Sequence, residues 1–182
     1  MSIENTEKRR RGSRYEGEIR LKTKRLNRKR VLIVDDEPDV LETLGHLLSM
    51  CNLRKASSFE EAKKLLEKEE IDIAILDIMG VDGYNLLEIA KKMNLIAVML
   101  TAHALSPAHI VKSFKGGAAS YLPKEEMLHI ADFLEELLET REKGKHFWWR
   151  WLDRWAPYYE KKFGPNWQND DKEFWEKFPH WV

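Results

Sequence analysis

The sequence predicts a doubly wound α/β domain, in which a five-stranded parallel sheet carries helices on both faces. Between residues 30 and 142, short apolar runs alternate five times with amphipathic stretches of helical spacing. Most of the apolar runs are nearly continuous, which is typical of strands buried on both faces. Strict alternation of strand and helix implies parallel strands joined by right-handed crossovers.

The first two strand–helix units open the folded part. Val31–Val34 is a mostly β-branched run followed by three acids, and Pro38 suits the first turn of the next helix. Leu53–Ala56 is short enough for an outer strand. Ser58, with Glu61 three residues later, predicts the N-terminal cap of the second helix.

Three further units complete the alternation. Their strands are expected at Ile71–Leu76, Ile96–Leu100 and Ala119–Leu122. The accompanying helices are expected over Tyr84–Met93, from Ser106-Pro107 to the glycine pair at 116–117, and over Glu125–Glu142. The last of these helices carries Met127, Leu128 and further apolar residues on one long face, so it should cover the sheet.

Composition indicates what precedes this domain in the chain and in which compartment it is found. The first thirty residues hold twelve Lys and Arg against four Glu, without apolar periodicity, so residues 1–29 are expected to form a basic, flexible arm. Cys51 is the single cysteine, which excludes an intrachain disulfide and favours a reducing, cytoplasmic compartment. No apolar run is long enough to span a bilayer, so membrane association is not expected.

Residues 143–182 form a separate aromatic extension that holds all seven tryptophans. One face of a predicted helix collects Trp148, Trp151, Leu152, Trp155 and Tyr159. The pattern becomes irregular after Pro157, and a second short helix is expected from about Asp170 to Phe178. Such a stripe packs back onto the domain, pairs with a second copy or binds an output protein, and these alternatives stay open. The extension is too short for a DNA-binding output domain, so specific DNA binding is not expected.

Polar side chains follow four of the five strands. Asp35 and Asp36 follow the first strand, Asp77 the third, Thr101 the fourth and Lys124 the fifth. The carboxyl ends of parallel strands meet at one edge, where ligands bind. Clustered carboxylates stay ionised only if a cation compensates them, and their oxygens suit Mg²⁺. A carboxylate nucleophile with a metal, a hydroxyl and an ammonium fits phosphoryl transfer onto aspartate.

These motifs resemble those of response-regulator receiver domains over about residues 30–142. The resemblance rests on Asp35-Asp36-Glu37-Pro38, Leu76-Asp77-Ile78-Met79, Leu100-Thr101-Ala102 and Tyr121-Leu122-Pro123-Lys124. It implies a flavodoxin-like sheet of order 2-1-3-4-5. It also implies that Asp77 is the phosphoacceptor, that Thr101 and Lys124 hold phosphoryl oxygens, and that Mg²⁺ is bound by Asp36, Asp77, the Met79 carbonyl and, through water, Asp35.

Three more roles follow from the resemblance. Tyr121 falls at the position of the switch aromatic, which turns inward when the Thr101 hydroxyl moves toward the phosphoryl group. Met79 and His103, each two residues past a site residue, are expected to tune the lifetime of the acylphosphate. The alternatives are a packing role for Tyr121 and an incidental one for the other two.

The resemblance implies a single-domain response regulator that takes its phosphoryl group from a histidine kinase or histidine phosphotransfer protein. It would not be a conventional enzyme, beyond self-phosphorylation from a donor and autodephosphorylation. The alternative is a degenerate receiver that binds partners without phosphorylation. A phosphatase is disfavoured because Met79 stands where a second acid would act. The output protein is unidentified, and a homodimer is left open.

Two departures from the family pattern bear on the site. Only five residues separate Asp77 from Gly83, where receivers typically have about seven, and the usual loop proline is missing. A tighter turn would move the Met79 carbonyl and weaken metal binding. The second departure is that Pro123 precedes Lys124 and Glu125 follows it, whereas the family commonly has proline after the lysine. Pro123 is therefore the candidate for the rigid turn that positions the Lys124 side chain.

Overall fold

The computed structural model describes residues 24–102, 106–144 and 148–178. One parallel sheet contains β1 (Arg30–Val34), β2 (Asn52–Ala56), β3 (Ile73–Asp77), β4 (Ile96–Thr101) and β5 (Ser120–Pro123). The strand order is β2-β1-β3-β4-β5. The predicted α/β class and the flavodoxin-like order are both confirmed, and β5 lies at one edge of the sheet.

Helices follow the strands as the alternation predicted. They are α1 (Pro38–Leu47), α2 (Phe59–Lys68), α3 (Gly83–Lys92), α4 (Pro107–Lys115) and α5 (Ile130–Glu142). The Ser58 hydroxyl caps α2 by accepting the backbone N–H of Glu61 at 3.3 Å. The Glu61 carboxylate accepts the backbone N–H of Ser57 rather than that of Ser58. The cap is therefore confirmed, and its reciprocal bond lies one residue earlier than a capping box places it.

The last helix of the domain differs from its prediction. A 3₁₀ helix over Lys124–His129 precedes α5, where one continuous helix from Glu125 was expected. The side chain of Leu128 is 67% exposed, so it does not belong to the buried face. Three residues per turn instead of 3.6 rotate its side chain away from the row that α5 buries.

The packed region begins before Arg30, inside the segment that the sequence assigned to the arm. Leu26 is fully buried, and its backbone N–H donates to the Glu135 carboxylate at 2.7 Å. Arg25 forms an ion pair with Glu142 on α5 at 2.9 Å. These partners lie more than a hundred residues away along the chain, so local pattern gave no sign of them. Residues 1–23 of the predicted arm lie outside the described ranges.

The aromatic extension folds back onto the domain as α6 (Trp148–Phe163) and α7 (Lys172–Lys177). Trp151, Trp155 and Tyr159 are buried on one face of α6, as their spacing predicted. The side chain of Trp148 lies outside the described part. The helix continues through Pro157, where the sequence suggested that it becomes irregular. Of the three arrangements that the sequence left open for the aromatic stripe, the structure shows packing on the domain.

No helix in the described ranges is both long and apolar enough to cross a membrane.

Candidate functional site

The Lys124 ammonium lies at the centre of the predicted site. Its Nζ is 2.7 Å from Asp35 Oδ2, 2.8 Å from Glu37 Oε1 and 3.0 Å from Asp77 Oδ1. Asp35 follows β1, Asp77 ends β3 and Lys124 follows β5, so the parallel sheet brings together residues far apart in sequence. Pro123 ends β5, and the 3₁₀ helix starts at Lys124. The Lys124 side chain therefore reaches the site although Glu125, and not a proline, follows it.

Asp77 is held from two sides. One carboxylate oxygen faces Lys124, and the other accepts the backbone N–H groups of Met79 and Gly80, both at 3.0 Å. Its side chain is only 6% exposed, yet it lines an open cleft of about 420 Å³. This arrangement holds the carboxylate in a fixed orientation at the cleft, which favours its use as a nucleophile.

The shortened loop after Asp77 closes through glycine. A side chain at Gly83 would bring its Cβ to 1.9 Å from the backbone carbonyl of Asp77, so only glycine fits there. Asp82 before it adopts a left-handed conformation, with φ of 54°. A Cβ at Gly80 would likewise meet the Asp36 carboxylate at 2.0 Å. The loop therefore packs tightly against both acidic strand ends.

Burial dominates the electrostatics of this cluster. Desolvation raises the pKa of Asp35, and the neighbouring Lys124 only partly opposes that rise. Desolvation also opposes the charged form of Lys124, but hydrogen bonds to Asp35, Glu37 and Asp77 outweigh it and raise the pKa of the ammonium. Lys124 is therefore cationic, and it offsets part of the negative charge of the carboxylates around it.

The acids of the site divide into two sets. Asp35, Glu37 and Asp77 surround the ammonium, whereas the exposed Asp36 lines the cleft beside Gly80. Across the ranges that the structure describes, no three acidic, histidine or cysteine side chains are grouped to hold a metal ion. Lys124 stands between three of the carboxylates and separates them. The carboxylates that line the cleft, those of Asp36, Glu37 and Asp77, nonetheless supply hard oxygen donors of the kind that Mg²⁺ takes.

The remaining predicted residues lie at different distances from the cleft. Thr101 ends β4, is 2% exposed and lines the cleft. Met79 lies at its mouth with a 68% exposed side chain. Tyr121, in β5, is fully buried and packs toward Tyr159 of the aromatic extension. His103 lies outside the described residues.

Glu37 is a site residue that the sequence reasoning did not single out. It forms an ion pair with Lys124 although its side chain is 58% exposed. Its position as the third of three consecutive acids after β1 was the available signal. From the sequence alone, however, an acid before Pro38 is equally well explained as the start of α1.

Comparison with known proteins gives a consistent result. A family profile described as the response regulator receiver domain matches residues 31–135. The two-component response regulator ARR10 of Arabidopsis thaliana is 36% identical over 102 residues, which cover 52% of this chain and 18% of the relative. The heme response regulator HssR of Staphylococcus aureus (strain Newman) is 37% identical over 99 residues, or 51% and 43% of the two chains. The chain thus spans less than half the length of these relatives.

Solved structures show the same fold. A CheY-like response regulator receiver domain protein from Methanospirillum hungatei JF-1 has a TM-score of 0.54 and 28% identity, covering 64% of this chain and 98% of its own. The signal receiver domain of an HD domain-containing protein from Pseudomonas fluorescens Pf-5 has a TM-score of 0.57 and 25% identity, covering 64% and 98%. A response regulator from Burkholderia pseudomallei, described with a phosphorylated aspartic acid, a calcium ion and citrate, has a TM-score of 0.51 and 25% identity, covering 63% and 72%.

Proposed function

The chain belongs to the response regulator receiver family, and from that premise we propose that it accepts a phosphoryl group on Asp77 and thereby switches partner binding. The donor would be a histidine kinase or a histidine phosphotransfer protein. The observation that carries the proposal is the setting of Asp77, whose carboxylate borders an open cleft with an ammonium at 3.0 Å.

The transfer forms one bond and breaks another. A carboxylate oxygen of Asp77 attacks phosphorus, the bond from phosphorus to the donor histidine nitrogen breaks, and an acylphosphate results. Lys124 leaves part of its pairing with Asp35 and Glu37 to contact the new phosphoryl oxygens. The Thr101 hydroxyl donates to another of these oxygens.

Asp36, Asp77 and the Met79 carbonyl would hold Mg²⁺, with Asp35 contributing through water. The ion, when bound, would neutralise charge on the transferring phosphoryl oxygens. The hard-donor chemistry of Asp36 and Asp77 at the cleft supports this assignment. Met79 and His103 would set the lifetime of the acylphosphate by controlling access of water, and the exposure of Met79 at the cleft mouth supports its part.

Intact mass measurement tests the proposal. The protein is incubated with a small acyl phosphate donor, with and without Mg²⁺, as wild type and as Asp77→Asn. We expect a magnesium-dependent gain of about 80 Da, one phosphoryl group, in the wild type alone. A gain that persists in Asp77→Asn would place the chemistry on another residue, and no gain with a donor or a cognate kinase would refute the proposal.

A second candidate is a receiver that binds its partner without phosphorylation. The observation that favours it is the position of Lys124 among Asp35, Glu37 and Asp77, where it offsets part of their charge without a metal. Under this alternative, Asp77→Asn leaves partner binding unchanged, and the protein gains no thermal stability from Mg²⁺. A rise in melting temperature with Mg²⁺ that disappears in Asp36→Asn would count against it.

A further inference from the structure

Strand β5 connects the candidate site to the aromatic extension. Lys124, which contacts Asp77, directly follows this strand. On the same strand the Tyr121 carbonyl accepts the indole N–H of Trp151 from α6 at 2.8 Å, and both side chains are fully buried. Because β5 is an edge strand, its outer side has no strand partner, and α6 covers it there.

The side chains of β4 and β5 extend this connection. Thr101 is paired with Pro123, and Met99 with Tyr121. Side chains alternate along strands, so Thr101 and Tyr121 belong to the same face of the sheet. The Tyr121 ring lies 6.4 Å from the ring of Tyr159 on α6. The extension therefore packs against Tyr121, a side chain on the same sheet face as the predicted phosphate-binding hydroxyl of Thr101 and two positions along the paired strand, and restricts its movement.

Ion pairs attach the extension on both sides of β5. Lys162 is 3.8 Å from Glu125, the residue next to Lys124. On the α4 side, Lys115 is 2.6 Å from Asp171. On the α5 side, Glu136 pairs with Arg150 at 3.2 Å and with Arg154 at 3.1 Å. The extension thus covers one continuous surface, the β5 face, which consists of α4, β5, the 3₁₀ helix and α5.

We propose that the aromatic extension is an internal ligand of the β5 face and that phosphorylation of Asp77 releases it. This inference rests on the function proposed above. A phosphoryl group brings a charge of about −1.5 to −2 and three strong acceptor oxygens. Those oxygens draw Lys124 away from Asp35 and draw the Thr101 hydroxyl toward the phosphoryl group. The surroundings of Tyr121 therefore change both at the end of β5, where Lys124 lies, and on the neighbouring strand β4, where Thr101 lies.

Docking of the extension and phosphorylation of Asp77 therefore favour different arrangements of the side chains around β5. Coupling between two such events is reciprocal, so weakened docking must favour phosphorylation by the same factor as phosphorylation weakens docking. Release also uncovers the apolar side chains of Trp151, Trp155 and Tyr159, which are buried while the extension is docked. The phosphorylated chain would then present a new aromatic surface to a protein partner.

Tryptophan fluorescence reports this change directly, since all seven tryptophans belong to the extension. On phosphorylation by a small acyl phosphate donor with Mg²⁺, we expect emission to shift to longer wavelength and acrylamide quenching to increase about twofold. Asp77→Asn should show neither change. Intact mass is measured on the same samples.

The two proposals fail in different ways. A full mass gain with unchanged or blue-shifted fluorescence overturns the release but leaves phosphoryl acceptance intact. If neither the small donor nor a cognate kinase produces a mass gain, phosphoryl acceptance is overturned, and the release with it.

A pair of variants tests the reciprocal effect. Trp151→Phe removes the N–H that binds the Tyr121 carbonyl, and we expect the equilibrium constant for phosphoryl transfer to Asp77 from a phosphohistidine donor protein to become about threefold to fivefold larger. Trp167→Phe is the matched control, because the Trp167 ring packs against Tyr159 and Trp175 within the extension. Equal equilibrium constants in the two variants would overturn the coupling.

Discussion

Replacing Lys124 with methionine should destabilise the protein in a way that depends on pH. Methionine keeps much of the side-chain volume but removes the charge that pairs with Asp35 at 2.7 Å and Asp77 at 3.0 Å. In the variant, Asp77 keeps its two backbone N–H donors, and the Glu37 carboxylate, on a largely exposed side chain, stays hydrated. The penalty therefore falls mainly on Asp35, which is fully buried.

The size of this penalty has a ceiling. Breaking a buried ion pair costs about 3–5 kcal/mol when the remaining charge stays uncompensated. Asp35 can instead take up a proton, which costs about 4 kcal/mol at pH 7 for a group with an ordinary pKa near 4, and about 1.5 kcal/mol at pH 5. We expect Lys124→Met to lose about 3 kcal/mol at pH 7 and no more than about 1.5 kcal/mol at pH 5.

The direction of the pH effect follows from proton binding. Burial already raises the pKa of Asp35, and loss of Lys124 raises it further. The folded variant then binds more protons than the unfolded chain at pH values between the two pKa values. Its stability relative to the wild type must therefore increase as the pH falls toward the unfolded pKa.

Urea unfolding of wild type and Lys124→Met at pH 7 and pH 5 measures these differences. The double variant Lys124→Met/Asp35→Asn should regain most of the lost stability at pH 7, because the buried charge is gone. A deficit that is equal at both pH values would refute the reasoning. So would a double variant that is no more stable than Lys124→Met.

Three further predictions concern single positions. Arg30 lowers the pKa of Asp72 to about 2, so Asp72→Asn should cost about 1 kcal/mol in urea unfolding at neutral pH; this cost should disappear as the pH falls from about 4 toward about 2. Burial and the nearby Glu135 raise the pKa of Cys51 to about 11, so its alkylation near pH 8 should be about a hundredfold slower than that of an exposed thiol, and equal rates would contradict its burial. In Gly83→Ala the new Cβ would lie 1.9 Å from the backbone carbonyl oxygen of Asp77, so the backbone must shift. The substitution should cost about 2–3 kcal/mol in thermal or urea unfolding, and a neutral result would show that the loop relaxes freely.

Much of the fold could be predicted because its signals are local. The Val31–Val34 run and the cap at Ser58 depend on residues within a few positions, and the structure agrees with them. The predicted helix boundaries were less accurate where a 3₁₀ helix precedes an α-helix. The 3₁₀ turn before α5 and the exposure of Leu128 result from how β5 enters that helix, which a hydrophobic pattern does not record.

Contacts between distant segments could not be predicted in the same way. Leu26 belongs to a segment of mostly charged residues, and only the Glu135 carboxylate on α5 explains its buried backbone N–H. The helical spacing of Trp151, Trp155 and Tyr159 predicted a face but not its partner. The partner became evident from the bond to the Tyr121 carbonyl on an edge strand.

By itself the sequence determined the alternating strands and the polar residues at their ends, because strand formation and its termination depend on neighbouring residues. It therefore predicted that Asp77, Thr101 and Lys124 lie at one edge of a parallel sheet. The tertiary structure decided which carboxylates Lys124 contacts and which surface the aromatic extension covers. Those outcomes depend on how far segments approach one another in the packed chain, and one-dimensional spacing carries no measure of that distance.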